Sequence, residues 1–228
     1  MVAGHGNLTD AAPKSRSERR REGTRRRLMR AAYEIIAERG LEGLVIQEIT
    51  QFADVGYGTF YNHFPSKEAI VDAVIDAAFQ RIMEFHQRAS AIWPDAVDAF
   101  GMGMRVSLNE AKNDRMWGWF VIRSVLSGGQ SFHRGVASHL KKRIEQCVAA
   151  GHVRCDDLDM ARHVIGGLLL IGTINLVSSE MTEDYEARLI ETGLQALGIS
   201  EDRIRTIITR PIPQLDLAAF LDPSDEMI

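Results

Sequence analysis

Apolar side chains recur at steps of three and four residues along most of the chain, the spacing typical of amphipathic helices. A first helix is predicted to begin near Thr24 and to end at Gly40, where glycine favours a left-handed stop. Its apolar face comprises Leu28, Ala31, Ala32, Ile35 and Ile36. We find no convincing strand pattern, and the sequence therefore predicts an all-α protein.

Two short helices follow, at about 46–53 and 57–63, joined by the three residues Asp54, Val55 and Gly56. Two short helices separated by such a turn form a candidate helix-turn-helix. Ser66 then caps a long helix that runs to about residue 88.

Beyond Pro94 the same periodicity predicts six more helices. Gly151 and Gly198 should stop two of them, and Thr182 and Ser200 should cap the last two. The six are expected at about 95–111, 114–126, 132–150, 158–179, 183–197 and 201–208.

Composition favours a soluble cytoplasmic protein. Of the 228 residues, 45% are hydrophobic and 25% are charged, as in ordinary globular proteins. Cys147 and Cys155 are the only cysteines, which fits a reducing compartment, and the first 27 residues hold no apolar leader. The longest uncharged apolar stretch, 164–177, has 14 residues, and we therefore expect no membrane contact.

Charge is distributed unevenly. Residues 1–67 contain 11 Lys and Arg against 8 Asp and Glu, a net charge of +3, whereas 68–228 contain 16 against 23, a net charge of −7. Eight of the cations lie between Lys14 and Arg27. Such a run is either a solvated tail or an arm that contacts phosphate, and we favour solvent for the tail.

One segment carries a specific motif. A short helix ending at Ala53 is followed by a turn at Val55, the run Gly58-Thr59-Phe60-Tyr61, then Phe64 and Ser66-Lys67-Glu68 opening the next helix. This segment resembles the DNA-binding signature of the TetR family of transcriptional regulators, with the specific similarity covering 24–68. Farther along, the likeness extends only to the number and length of the helices.

The resemblance implies an all-α fold with an N-terminal three-helix helix-turn-helix DNA-binding domain and a C-terminal helical ligand-binding and dimerisation domain. On this basis the chain divides into a disordered basic arm at 1–20, the DNA-binding domain at 21–67, a regulatory domain at 68–210 and a tail at 211–228.

The function expected from the resemblance is that of a homodimeric transcriptional regulator, a repressor that binds double-stranded DNA at a palindromic operator and is released by an unknown small-molecule effector. The alternative is an architectural DNA-binding protein without a small-molecule ligand, which predicts a filled core around Trp117. An enzyme is not expected because catalytic motifs are missing, and no catalytic residue, cofactor or metal is predicted. The loop from His152 to Asp157 is interpreted as a helix stop and cap rather than a metal site.

Candidate DNA contacts combine hydroxyl, amide, imidazole and cationic groups near the second short helix. Gly58 lets the backbone approach DNA, Thr59 can reach phosphate or a thymine methyl, and Lys67 can hold phosphate at a helix start. Phe60, Phe64, Ile49 and Val55 are expected in the core. The candidate contacts are Arg25, Arg26, Gln47, Tyr57, Gly58, Thr59, Tyr61, His63 and Lys67.

Three residues depart from the family pattern. Val45 stands where Ser or Thr usually caps the second helix, and Gly56 replaces a serine before the recognition helix. Asp54 occupies a position where glycine is customary. These departures are expected to weaken phosphate contacts without removing the fold.

The C-terminal part concentrates aromatic residues and methionines, which at helical spacing form either ordinary core or the wall of a ligand cavity. In the second interpretation, an arginine or histidine fixes a polar group of the ligand. The candidate pocket residues are Met104, Trp117, Phe120, Arg123 and His133.

A dimer surface is predicted on the uncharged stretch 164–177 and the following helix, where glycines permit close helix approach. Intramolecular core is the alternative, and the family resemblance favours dimerisation. The candidate interface residues are Val164, Leu168, Ile171, Tyr185, Leu189 and Leu197.

Overall fold

The computed structural model describes residues 15–127 and 130–213, without the side chains at 89, 90 and 130–134. The described residues form helices and connecting loops, with no strand. The helices are α1 (Arg16–Arg39), α2 (Ile46–Phe52), α3 (Tyr57–Tyr61), α4 (Lys67–Ile92), α5 (Ala96–Asn113), α6 (Arg115–Leu126), α7 (Gln130–Ala149), α8 (Leu158–Ser178), α9 (Tyr185–Ala196) and α10 (Glu201–Thr209). The predicted all-α fold is confirmed.

The N-terminal head packs α1, α2, α3 and the first turns of α4 around one apolar core. Ile49, Phe60 and Phe64 are at most 2% exposed, and the rings of Phe60 and Phe64 lie 5.8 Å apart. Val55 is half-buried and packs against the same cluster. These four residues are core, as predicted.

Helix α1 is longer than the sequence pattern predicted. Its N-cap is Ser15, whose hydroxyl accepts from the Glu18 amide while the Glu18 carboxylate accepts from the Ser15 amide, forming a capping box. The predicted start at Thr24 is therefore wrong, and 16–20, assigned to a disordered arm, are helical. Residues 1–14 lie outside the described chain.

The ends of the other helices lie within a few residues of the prediction, and the glycine stops are as expected. Gly40, Gly151 and Gly198 have φ values of 80°, 77° and 74°, a left-handed conformation that favours glycine. Ser200 is the N-cap of α10, as predicted, although its side chain makes no capping hydrogen bond. The prediction for Thr182 is wrong, because Asp184 is the N-cap of α9.

Helix α8 is more apolar than the 14-residue stretch suggested. It spans Leu158–Ser178, and by length and composition this one helix of the described chain could cross a membrane. Core helices of globular proteins meet the same criterion, so a single helix of this kind is weak support for a membrane segment.

The head joins the C-terminal body through α1 and α6. Tyr33 on α1 and Phe120 on α6 have ring centroids 4.9 Å apart, and Phe120 stacks on Trp117 at 5.9 Å. The head core thus continues into α6 and α4. A second core, formed by α5 with α7 to α10, fills the far end of the body.

Candidate DNA-binding surface and ligand cavity

Helix α3 presents two tyrosines to solvent. Tyr57 is 54% exposed and Tyr61 is 48% exposed, and they lie one turn apart with their hydroxyl oxygens at 3.3 Å. The hydrogen bond with Tyr57 raises the pKa of Tyr61, so its hydroxyl stays protonated and can donate to a phosphate oxygen.

Gly58, which lies between the two tyrosines in the sequence, leaves the helix backbone uncovered. It is exposed, and a Cβ built on it would meet no atom within 4 Å. The backbone of α3 is therefore accessible from solvent at this point.

The remaining polar candidates surround α3. Gln47 on α2 is exposed, while Thr59 and Lys67 are half-buried at the same end of the head. Ser66 Oγ accepts from the Ala69 amide at 3.2 Å, which confirms it as the cap of α4. Hydrogen bonds from its own amide and from Ser66 lower the pKa of Glu68, so this carboxylate is ionised beside Lys67.

Arg25 is held by the head itself. Its guanidinium lies 4.3 Å from the centre of the Phe64 ring, and its Nη1 donates to the His63 carbonyl oxygen at 3.3 Å. Arg25 therefore fixes α1 against the loop after α3. Arg26 beside it is half-buried.

His63 lies among arginines. Burial first, and then the charges of Arg21 and Arg25, lower the pKa of His63, so its imidazole is neutral at pH 7. Arg21 is thus close to the end of α3, a position that the sequence analysis missed because it began α1 eight residues too late. The signal that could have found it is the Ser15-x-x-Glu18 capping box.

The three departures are visible in the backbone. Val45 and Gly56 occupy the N-caps of α2 and α3 without a side-chain hydrogen bond. Asp54 has a φ of 50°, so it takes the left-handed conformation where glycine would be unstrained.

A cavity of about 490 Å³ lies in the body between α4, α5, α6, α7 and α8. Two of the candidate pocket residues, Met104 and Trp117, line it. Its walls are mostly apolar, and its volume lies within the range of pockets for small organic ligands. Other apolar lining residues are Phe79, Ile82, Val121, Val125, Leu140 and Leu169.

Two predicted pocket residues lie elsewhere. Phe120 is fully buried between Tyr33 and Trp117, so it belongs to the joint between head and body. Arg123 extends toward the end of α1, where its Nη1 donates to the Ile36 carbonyl oxygen at 3.5 Å and its guanidinium lies 5.3 Å from the Trp119 ring. The side chain of His133 lies outside the described part of the chain.

The polar wall of the cavity comes from residues that the sequence analysis did not select. His86 Nδ1 on α4 and His139 Nε2 on α7 lie 2.9 Å apart, with the rings tilted by 32°. Arg143, one turn beyond His139, is 8% exposed and its Nη1 donates to Gln146 Oε1 at 2.9 Å. The one feature of the sequence that could have indicated this polar wall is the one-turn spacing of His139 and Arg143 on an otherwise apolar face of α7.

Burial and charge keep the imidazole pair neutral. Burial first, and then His139 and Arg143, lower the pKa of His86 to about 3. Burial and the charges of Arg143 and Lys142 lower that of His139 to about 4. At pH 7 the polar wall therefore combines two neutral imidazoles with one buried guanidinium.

Helix α8 carries a second exposed surface. Met160, Val164 and Ile171 are 58%, 45% and 54% exposed and follow one face of the helix. Leu168 and Leu189 are half-buried, with Leu189 packed so closely on Gly172 that a Cβ there would collide with it. We call Met160, Val164, Gly167 and Ile171 the α8 face.

The other two predicted interface residues contact their own chain. Tyr185 Oη accepts from Asn175 Nδ2 at 2.8 Å, which ties the start of α9 to α8. Leu197 is 4% exposed and packs in the body core. Its assignment to a dimer surface is therefore wrong, because the turn at Gly198 folds it inward.

In the part of the chain that the structure describes, no group of three or more His, Cys, Asp or Glu side chains could hold a metal ion. His152 Nε2 instead lies 3.4 Å from Asp95 Oδ2, and Cys155 is half-buried with a free thiol.

Comparison with known sequences identifies two matching domains. The profile described as "Bacterial regulatory proteins, tetR family" matches residues 28–74. The profile described as "Tetracyclin repressor-like, C-terminal domain" matches residues 95–210. Between them they span both the head and the body, and well over half of the chain.

Curated relatives are similar mainly in the head. The HTH-type transcriptional repressor DhaR of Mycobacterium sp. (strain GP1) is 42% identical over 55 residues, 24% of this chain and 28% of that repressor. The repressor NemR of Escherichia coli (strain K12) is 31% identical over 81 residues, 34% of this chain and 41% of NemR. The matched region is thus less than half the length of either relative.

Among solved structures, RolR in complex with its ligand resorcinol is similar over nearly the whole fold. The TM-score is 0.65 and the identity 27%, over 86% of this chain and 98% of RolR.

Proposed function

Since the chain belongs to the TetR family of bacterial regulatory proteins, we propose that it is a homodimeric transcriptional repressor that binds a palindromic operator and leaves it when a small molecule fills the cavity. The observation that carries this proposal is the combination in one chain of an exposed recognition helix and a cavity whose wall includes α4. The protein acts in the cytoplasm, without a cofactor and without catalysis.

DNA binding rests on α3 and its surroundings. The exposed backbone at Gly58 enters the major groove with Tyr57 and Thr59 toward base edges, while Tyr61 and Lys67 contact phosphate. Arg25 positions this surface from α1 rather than reading bases, because Phe64 and the His63 carbonyl already hold its guanidinium.

Dimerisation rests on the α8 face. Three large apolar side chains, each about half exposed in the single chain, follow one side of a helix and would be covered by a second copy. One α3 reads few base pairs, and a two-fold axis presents two of them to a palindrome.

Release of DNA rests on α4. This helix begins at Lys67 beside the DNA surface, and Phe79, Ile82 and His86 farther along it line the cavity. A ligand that fits the cavity better at one tilt of α4 shifts the spacing of the two heads by its difference in affinity for the two states. RolR, similar over most of this fold, has resorcinol as its ligand.

The architectural alternative predicts a filled core around Trp117. Trp117 instead lines a cavity of about 490 Å³, and this favours a ligand-responsive regulator.

The test is a fluorescence anisotropy titration on DNA from upstream of the protein's own gene, with a scrambled sequence as competitor. Thr59→Ala and Lys67→Ala should each weaken specific binding about tenfold, from loss of one groove or phosphate contact. The control Lys112→Ala changes an exposed lysine on α5 and should leave the affinity unchanged. Equal affinity of the wild type for both DNAs would contradict the proposal.

A further inference from the structure

Resting on the proposed ligand-responsive function, we propose that the cavity selects an apolar organic anion, with the charged oxygen of the ligand held by Arg143 beside the His86–His139 pair and its apolar body against α5 and α6. The carboxylate of a small aromatic or aliphatic acid has this chemistry.

The apolar part of such a ligand has a defined place. Met104 on α5 and Trp117 on α6 line the wall contributed by those helices, whereas His139 and Arg143 line the wall contributed by α7. An amphiphilic molecule can therefore place its hydrocarbon and its polar group on different walls. A purely apolar ligand could form no hydrogen bond with the polar wall.

The charge of the polar wall is positive. Arg143 and Arg162 are the permanently charged lining residues, and none of the described residues that line the cavity is acidic. Arg143 is 92% buried. Burial lowers its pKa because removing a charged group from water costs free energy. An anionic oxygen approaching its guanidinium offsets that cost, and a cationic ligand would increase it.

Of the two arginines, Arg143 carries the selectivity. Arg162 Nε lies 3.6 Å from the Asp159 carboxylate, so a carboxylate of the same helix already faces its charge. Arg143 is the more deeply buried of the two, at 8% exposed, and its Nη1 donates to the amide oxygen of Gln146 at 2.9 Å. His86 and His139 contribute hydrogen bonding without charge, because their lowered pKa values keep them neutral at pH 7.

The test is calorimetric titration of the full chain, without DNA, with two nearly isosteric probes, 1-naphthoate and 1-naphthamide. The wild type should bind naphthoate at least about tenfold more tightly than naphthamide, as expected for a charge-assisted hydrogen bond at a buried site. Arg143→Gln should abolish this preference while leaving naphthamide affinity within about threefold. Arg143→Lys, which keeps the charge, should retain part of the preference.

Arg188→Gln, at an exposed arginine that pairs with Asp184 outside the cavity, is the matched control and should change naphthoate affinity by less than about threefold. Circular dichroism of each variant establishes that it is folded before titration. Equal binding of the two probes by the wild type, or no binding of either at millimolar concentration, would overturn the proposal. So would an equal loss of both probes in a folded Arg143→Gln variant.

These results are independent of the repressor function because no DNA is present. Equal probe binding together with specific operator binding would refute the anion preference alone. A strong preference for naphthoate in a protein that does not bind its upstream DNA would refute the repressor and leave the anion site standing.

Discussion

His86 and His139 meet at 2.9 Å on the cavity wall, and neither can be protonated there without loss of stability. The folded pKa values, lowered to about 3 and about 4 from an ordinary value of 6.5, mean that the unfolded chain takes up protons first as the pH falls. Stability therefore rises with pH through this window and is lost as the pH falls from 6.5 toward 4.

We predict that urea unfolding records this loss. For His86 alone the free energy of unfolding should fall by about 3 kcal/mol between pH 6.5 and pH 4, the lowered pKa being converted at about 1.4 kcal/mol per pH unit. His86→Gln, which cannot titrate, should show a shallower pH dependence than the wild type. Parallel curves for the two proteins would contradict the burial of a neutral imidazole at this position.

Gly58 is surrounded by open space and Gly118 is tightly packed, so an alanine at each position tests their different roles. A Cβ at Gly58 would meet nothing within 4 Å, whereas one at Gly118 would collide with Val177 and come 3.2 Å from the Ala111 carbonyl oxygen. Gly58→Ala should preserve or raise stability, by up to about 1 kcal/mol, yet weaken operator binding because the methyl group lies on the proposed DNA-binding surface.

Gly118→Ala is the counterpart and should lower stability by about 1–3 kcal/mol without affecting the DNA surface. Thermal unfolding and anisotropy titration measure the two effects separately. Loss of stability in Gly58→Ala, with unchanged DNA binding, would place α3 in the core rather than on DNA.

Among the helices, α8 has one side buried in its own chain and another side exposed to solvent. Ile165 and Val177 are fully buried in the chain, whereas the α8 face is exposed. Ile171→Glu should therefore convert the proposed dimer to a monomer, because a charge within an apolar interface is costly to bury.

Analytical ultracentrifugation checks this, with Leu126→Glu as the control. Leu126 on α6 is 65% exposed, against 54% for Ile171, but lies off the α8 face, so its variant should remain dimeric. A dimeric Ile171→Glu variant would show that another surface joins the subunits.

The helices could be predicted from sequence because a 3.6-residue apolar period is local information. The first two turns of α1 were missed because they are arginine-rich and lack an apolar face, and only the Ser15–Glu18 capping box marks them. The burial of Leu197 was missed because the sequence pattern shows only that α9 has an apolar face. The left-handed turn at Gly198 places Leu197, just after α9, in the body core.

In the whole molecule, one continuous core links the proposed DNA-binding surface to the cavity. Trp117 lines the cavity and stacks on Phe120, which packs against Tyr33 of α1, while α4 joins Lys67 to His86. The sequence pointed to Met104 and Trp117 but not to the polar wall. His86 and His139 are 53 residues apart, and only the packing of α4 against α7 brings them together.

Two heads of one dimer can read a palindrome only if the half-sites lie at the right distance, so we would change that distance. The affinity is measured by anisotropy for the upstream operator and for the same operator with five base pairs inserted at its centre, which turns one half-site to the opposite face of the duplex. We predict that the insertion lowers affinity to the level of scrambled DNA. Undiminished binding to the lengthened operator would show that each head binds alone.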